Sequence, residues 1–226
     1  MLASQPEPQD AQRSVPCGLI TDWGGVLTIP VAAAVAAWLE ADSIDMSGYR
    51  SLMAQWVSEA YGSSNGQVNP IHALERGETR PEEFEELLAR RLVRIDGAAV
   101  PAGGLLSRMF AEMAPVEMMY ALLRSLRRIG VRIAMLSNSW GNDYPRELFR
   151  DLFDAVIISS EVGMRKPEKR IFKHALATLD LTPGQCVFVD DIEANVAAAQ
   201  ALGMVGLHHR EPEATARAVR DLFGLA

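Results

Sequence analysis

Leu19-Ile20-Thr21-Asp22-Trp23-Gly24-Gly25-Val26-Leu27-Thr28 decides the fold. A short apolar run leads into an aspartate, and two glycines follow at once, the pattern of a buried strand ending in a tight loop. Open α/β sheets place their ligands at the carboxyl ends of such strands. Three later stretches end the same way. Arg132 to Asn138 finishes in Ser137-Asn138, Ser160 to Pro167 carries Lys166, and Cys186 to Asp191 finishes in Asp190-Asp191. Side chains gathered from these tips would offer a nucleophile, a hydroxyl, a cation and an acid pair.

Outward from that first strand, set at Cys17 to Thr21, the rhythm is strand, loop, helix. Strands are expected at Arg132 to Leu136, Ala155 to Ile158, Val187 to Val189 and Val205 to Leu207. Helices are expected over Pro145 to Leu152, Pro167 to Leu179, Ile192 to Leu202 and Glu211 to Phe223, with another from Pro115 to a cap near Gly130. Such alternation implies a parallel sheet with helices on both faces, an α/β fold. Between the first and second strands lies a mostly helical insertion. Pro30 to Glu40 and Ile71 to Arg76 read as helices, Asp42 to Arg80 as otherwise irregular, and Gly62 to Gly66 as a loop. Thr79-Arg80-Pro81-Glu82 reads as a capping box opening a helix that turns Phe84, Leu87, Leu88 and Leu92 inward. Leu105 to Met113 reads as a last helix. The division is therefore a polar tail at 1–16, a core of 17–29 and 115–226, and a cap of 30–114 beside the Asp22 loop.

Of 226 residues, 49% are apolar, enough for a substantial core, and the net charge is −7. That balance disfavours nonspecific binding to nucleic acid or anionic membrane. No apolar run is long enough to span a bilayer, and the start has no apolar signal core, so a cytoplasmic location is expected. Arg124, Arg127 and Arg128, interleaved with leucines, read as a solvated helix face. Cys17 and Cys186 read as small buried hydrophobes. The Met- and Leu-rich cap helices leave a homodimer open.

Asp22-Trp23-Gly24-Gly25-Val26-Leu27, Leu136-Ser137-Asn138, Gly163-Met164-Arg165-Lys166-Pro167 and Val189-Asp190-Asp191 with Asn195 together resemble the haloacid dehalogenase (HAD) superfamily, in its phosphatase-like branch with a helical cap after the first motif. Each motif alone is weak; four in order, each at a strand end, are specific. The resemblance covers roughly Cys17 to Phe223 and implies a Rossmann-like core. It implies that Asp22 is a nucleophile forming an aspartyl-phosphate, that Ser137 and Asn138 hold the phosphoryl group, and that Lys166 neutralises it. It further implies a Mg²⁺ ion held by Asp22, the Gly24 carbonyl and Asp191, with Asp190 ligating directly or through water. Asp191 also suits a helix N-cap. Trp23 would line the substrate entrance or pack beneath the cap.

One position departs from the pattern. Phosphatases of the family usually carry a second aspartate two residues after the nucleophile, which protonates the leaving oxygen; here it is Gly24. General acid–base help is typically worth about 10²–10⁴-fold. A cap residue such as His72 or Glu75 could supply the proton, the substrate could have a good leaving group, or the protein could chiefly bind its ligand. His72, like His208 and His209 near the last strand, otherwise reads as an ordinary packing residue, and Met109, Met113, Met118 and Met119 as core or hinge packing. The expectation is a Mg²⁺-dependent phosphatase acting on a small phosphorylated metabolite. The alternatives are a 2-haloacid dehalogenase, which the acid pair disfavours, and a catalytically weak phospho-ligand binder.

Overall fold

The computed structural model describes residues 15–61 and 69–225. The tail residues 1–14 and the expected loop at Gly62 to Gly66 lie outside the described residues. Five parallel strands form one sheet in the order β3-β2-β1-β4-β5. They are β1 Gly18–Thr21, β2 Arg132–Ser137, β3 Ala155–Ile158, β4 Cys186–Asp190 and β5 Val205–His208. Ile20 of central β1 pairs with Ala134 and with Phe188. One step past the strand, Asp22 is therefore level with Leu136 and Asp190, and its N–H still bonds the Val189 carbonyl at 2.9 Å. The sheet register thus gathers three of the four motifs at one edge.

Both faces of the sheet are covered, which is why its strands read as unbroken apolar runs. Leu19, Ile133, Met135, Val187 and Val189 face a cluster containing Leu122, Leu126, Val219 and Phe223. Ile20, Ala134, Leu136 and Phe188 face Ile171, Phe172 and Ala199. A third cluster, around Trp38, Trp56, Phe84, Leu88 and Leu105, belongs to the insertion and to Trp140 against it. The insertion carries α1 Val31–Ala41, α2 Met46–Tyr61, α3 Pro70–Glu75, α4 Pro81–Arg91 and α5 Leu105–Met109. The core carries α6 Glu117–Arg128, α7 Arg146–Phe149, α8 Ser159–Val162, α9 Lys169–Leu179, α10 Glu193–Gln200 and α11 Pro212–Phe223. Among the described residues no helix is long and apolar enough to cross a membrane.

Several local expectations are corrected. The stretch after Asp42 is not irregular: α2 occupies it, and Tyr49, Leu52, Met53 and Trp56 form its helical stripe, diluted in the sequence by serines and a glycine. Leu87 is exposed and Glu85 is buried. The inward stripe of α4 runs through 84, 85, 88 and 89, and Leu87 stands roughly 130° round the helix from its centre. Glu85 has a task there, because its carboxylate accepts the N–H groups of Gly104 and Leu106 at the start of α5. Arg80, not Thr79, precedes α4. The Thr79 N–H instead closes the turn after α3 by bonding the Ala73 carbonyl. Pro115 does not open α6. It forms an antiparallel bridge with Thr28, flanked by bonds from Ile29 to Ala114 and from Val116 to Leu27, where the chain leaves and re-enters the core. Cys186 is buried as expected, but Cys17 is exposed.

Candidate active site

Asp22 is almost wholly buried at the tip of β1. Its Oδ1 accepts the Trp23 N–H at 2.7 Å and pairs with Lys166 Nζ at 2.9 Å; its Oδ2 takes no hydrogen bond among the described residues. Lys166 is also completely buried and makes a second ion pair, 2.7 Å to Asp190 Oδ2. The other oxygen of Asp190 accepts the Ile192 N–H at 2.8 Å and the Asn195 amide at 3.0 Å. Asp190 therefore holds three protein donors, and it anchors the lysine from behind. Burial opposes charge on Lys166, but the two carboxylates outweigh it and push the ammonium above its ordinary value. Burial, with Asp190 and Asp191 nearby, pushes Asp22 up to about 7 against the pull of Lys166.

Asn138 links two of the motif loops. Its amide donates to the Lys166 carbonyl at 3.0 Å and its carbonyl oxygen accepts the Lys166 N–H at 2.8 Å. The backbone that presents the lysine is thereby fixed to the end of β2. Ser137 accepts a 2.9 Å bond from the Tyr144 hydroxyl, and Tyr144 packs against Trp23 with ring centroids 4.7 Å apart. Burial pushes Tyr144 up to about 12, so its hydroxyl stays a donor at neutral pH. Trp23 is buried in the core cluster and lines the cavity. Tyr144 was not anticipated, since it lies seven residues past Ser137 in an irregular loop.

One oxygen each from Asp22, Asp190 and Asp191 lie within 4.8 Å of one another. Three clustered carboxylates repel unless a cation intervenes, and oxygen-only donors suit a hard ion such as Mg²⁺. The residues fit that ion in one further respect. Gly25 has φ +75°, and a Cβ there would lie 2.3 Å from Asp191 Oδ2. The glycine leaves the half-buried Asp191 carboxylate room against the Asp22 loop. His208 steadies the same residue, its Nε2 lying 3.0 Å from the Asp191 carbonyl. Asp191 does not cap α10; Ile192 occupies the cap position. Gly25→Ala is expected to cost roughly 1–2 kcal/mol from backbone conformation alone, with the clash added. Urea denaturation checks this, and a loss below about 0.5 kcal/mol would mean that the loop relaxes freely.

Asp22, Trp23, Gly24, Ser137, Asn138, Lys166 and Asp191 line one cavity of about 250 Å³. Asp190 lies behind it. Where the family's second aspartate would project from position 24, a Cβ would meet Val31 Cγ2 at 3.3 Å and Met113 Cε at 3.4 Å. Apolar side chains of the insertion border that space. Of the two cap residues considered as proton donors, Glu75 lines the cavity and His72 sits beside Arg165 and Arg76. Burial and those cations push His72 down to about 4, so it is neutral at pH 7. Glu75 accepts Trp140 Nε1–H at 3.2 Å through Oε1 and pairs with Arg165 through Oε2. It thus ties the cap to the lysine loop, a contact that Arg76 reinforces by pairing with Glu168.

The chain is similar to several known proteins. A sesquiterpene phosphatase of Aspergillus oryzae is 35% identical over 155 residues, 67% of this chain and 78% of that protein. A glyceraldehyde 3-phosphate phosphatase of Methanopyrus kandleri is 27% identical over 80% of this chain and 73% of its own length. The chain spans only 30% of rat bifunctional epoxide hydrolase 2, another match. A HAD family enzyme of Bacteroides thetaiotaomicron, in complex with magnesium and inorganic phosphate, shares the fold with a TM-score of 0.58. It is 22% identical, over 85% of this chain and 93% of that one. The model of the haloacid dehalogenase-like hydrolases matches residues 18–203, a span that contains every strand-tip residue described above except His208, and the chain belongs to that family of hydrolases.

Proposed function

We propose that the protein is a Mg²⁺-dependent phosphatase that cleaves a small phosphomonoester through Asp22, beneath a cap of residues 30–114. The observation that carries the reading is Lys166, buried between Asp22 and Asp190 at one end of a cavity that Asp191 also lines. Asp22, Asp191 and the Gly24 carbonyl would hold the ion, which supplies positive charge against the phosphoryl oxygens. Asp22 Oδ2, free of hydrogen bonds to described residues, attacks phosphorus. Lys166 balances the charge that Asp22 and the phosphoryl group bring together. Ser137 and Asn138 hold the phosphoryl oxygens, while Asp190 and Asn138 keep the lysine in place. The ester oxygen leaves without a side-chain acid at position 24, so leaving-group basicity should govern the rate.

The relatives named above act, by their names, on a sesquiterpene and on glyceraldehyde 3-phosphate, so their names alone do not choose a substrate for this chain. The test is phosphate release from monoesters with leaving groups from phenol to alkanol. Release is expected with Mg²⁺, absent in EDTA, restored by added Mg²⁺, and steepest for the most acidic leaving groups. Equal release in EDTA would sink the metal-dependent reading. Folded protein that binds phosphate but releases none from any ester would favour the binding-only alternative, and metal-free halide release from 2-haloacids would favour the dehalogenase.

A further inference from the structure

We propose that the organic group of the substrate is a hydrocarbon or aryl chain without hydroxyls. This rests on the phosphatase reading for where the phosphate lies. The cavity has two unlike ends. Its core end holds Asp22, Ser137, Asn138, Lys166 and Asp191; the end facing the cap is walled by Val31, Val35, Met109, Phe110, Met113 and Trp140. Met109 is fully buried, and Val31 and Met113 stand within van der Waals reach of position 24 itself. The first atoms beyond the ester oxygen therefore meet carbon and sulfur.

Polar groups on that wall are largely engaged. Each oxygen of Glu75 already accepts one hydrogen bond, from Trp140 Nε1–H and from Arg165. The Asn142 carbonyl oxygen accepts the Trp140 N–H at 2.9 Å. A sugar or polyol would bring several hydroxyls to a wall whose remaining polar atoms are few: the Tyr49 hydroxyl, the Asn142 amide and the spare lone pairs of Glu75, with Asn195 towards the core end. Hydroxyls desolvated without partners weaken binding. A hydrocarbon chain instead gains about fourfold in affinity for each buried methylene.

Two non-hydrolysable ligands with the same carbon skeleton isolate the organic group from the phosphate end. With Mg²⁺ present, calorimetry should show propylphosphonate binding at least about tenfold more tightly than 2,3-dihydroxypropylphosphonate, with affinity rising again for pentylphosphonate. Val35 is half-buried on α1, packed against the hydrophobic cluster of the insertion, and its side chain offers no polar group to phosphate. Val35→Asn should reduce the ratio to about twofold or less while leaving inorganic phosphate binding unchanged. Equal affinities, preference for the diol, or failure of propylphosphonate to bind where inorganic phosphate does would overturn the inference. Tight, selective binding of propylphosphonate without phosphate release from propyl or phenyl phosphate would overturn the phosphatase reading alone and leave the apolar pocket standing.

Discussion

Asp22→Asn is expected to lower phosphate release by about 10⁴-fold or more, the scale on which loss of a covalent nucleophile is felt. The same variant, compared with the wild type in EDTA, is expected to unfold at no lower temperature. Burial and the neighbouring Asp190 and Asp191 push the Asp22 carboxyl up to about 7, so the fold tolerates its charge poorly. Replacing it with an amide of the same shape removes that repulsion and leaves Lys166 paired with Asp190 at 2.7 Å. Activity and stability should therefore move independently. Thermal unfolding beside a phosphate-release assay checks both. A drop of several degrees would mean that Asp22 serves first as a counter-ion for the lysine, and retained turnover would remove it from the chemistry altogether.

Lys166→Met is expected to cost both quantities at once. The ammonium is fully buried and pairs with two carboxylates, one of them without solvent exposure. Methionine fills similar volume but leaves those acids facing each other unneutralised. Removing one partner of a buried ion pair typically costs about 3–5 kcal/mol. Urea denaturation in EDTA should show a loss of that order, with phosphate release undetectable even after Mg²⁺ is restored. Adding Asp190→Asn to the same chain should recover part of the stability, because the two sites share one interaction and their effects are not additive. A loss below about 1 kcal/mol for Lys166→Met, or strict additivity with Asp190→Asn, would show that the lysine is not held by these acids.

Much of the core was legible because its strands end in chemistry. An acid after an apolar run, as at Asp22 and Asp190, is conspicuous in one dimension, and parallel register carries such tips to one edge. The resemblance gave Asp191 the ion and Asp190 a place on it directly or through water; the anchoring of Lys166 by Asp190 was not legible, because it shows only in the ion pair with that lysine and in the hydrogen bonds from Ile192 and Asn195. Arg165 and Trp140 were invisible as partners of Glu75 because those contacts cross 90 and 65 residues of chain. Leu87 is the clearest misreading in the cap, and Glu85 holds an inward place that was not anticipated. Its place in α4 looks polar and outward until the exposed N–H groups of α5 arrive from Gly104 and Leu106 to occupy it. Helical stripes reveal which side chains avoid water; they do not reveal which charges another element will claim.

The paired stem at Thr28 and Pro115 bears on how such a chain can diversify. The insertion leaves and returns at neighbouring points, so its two ends are fastened together before any cap helix is counted. Lengthening or replacing what lies between them adds little closure entropy and shifts no strand of the sheet. On the proposed reading, the groups that would handle phosphate come from the sheet's strand tips and the loop carrying Lys166, and most of those that would meet the rest of the ligand come from the insertion. Descendants of this architecture can thus exchange ligand preference by rewriting one contiguous segment, while the reactive end is inherited unchanged.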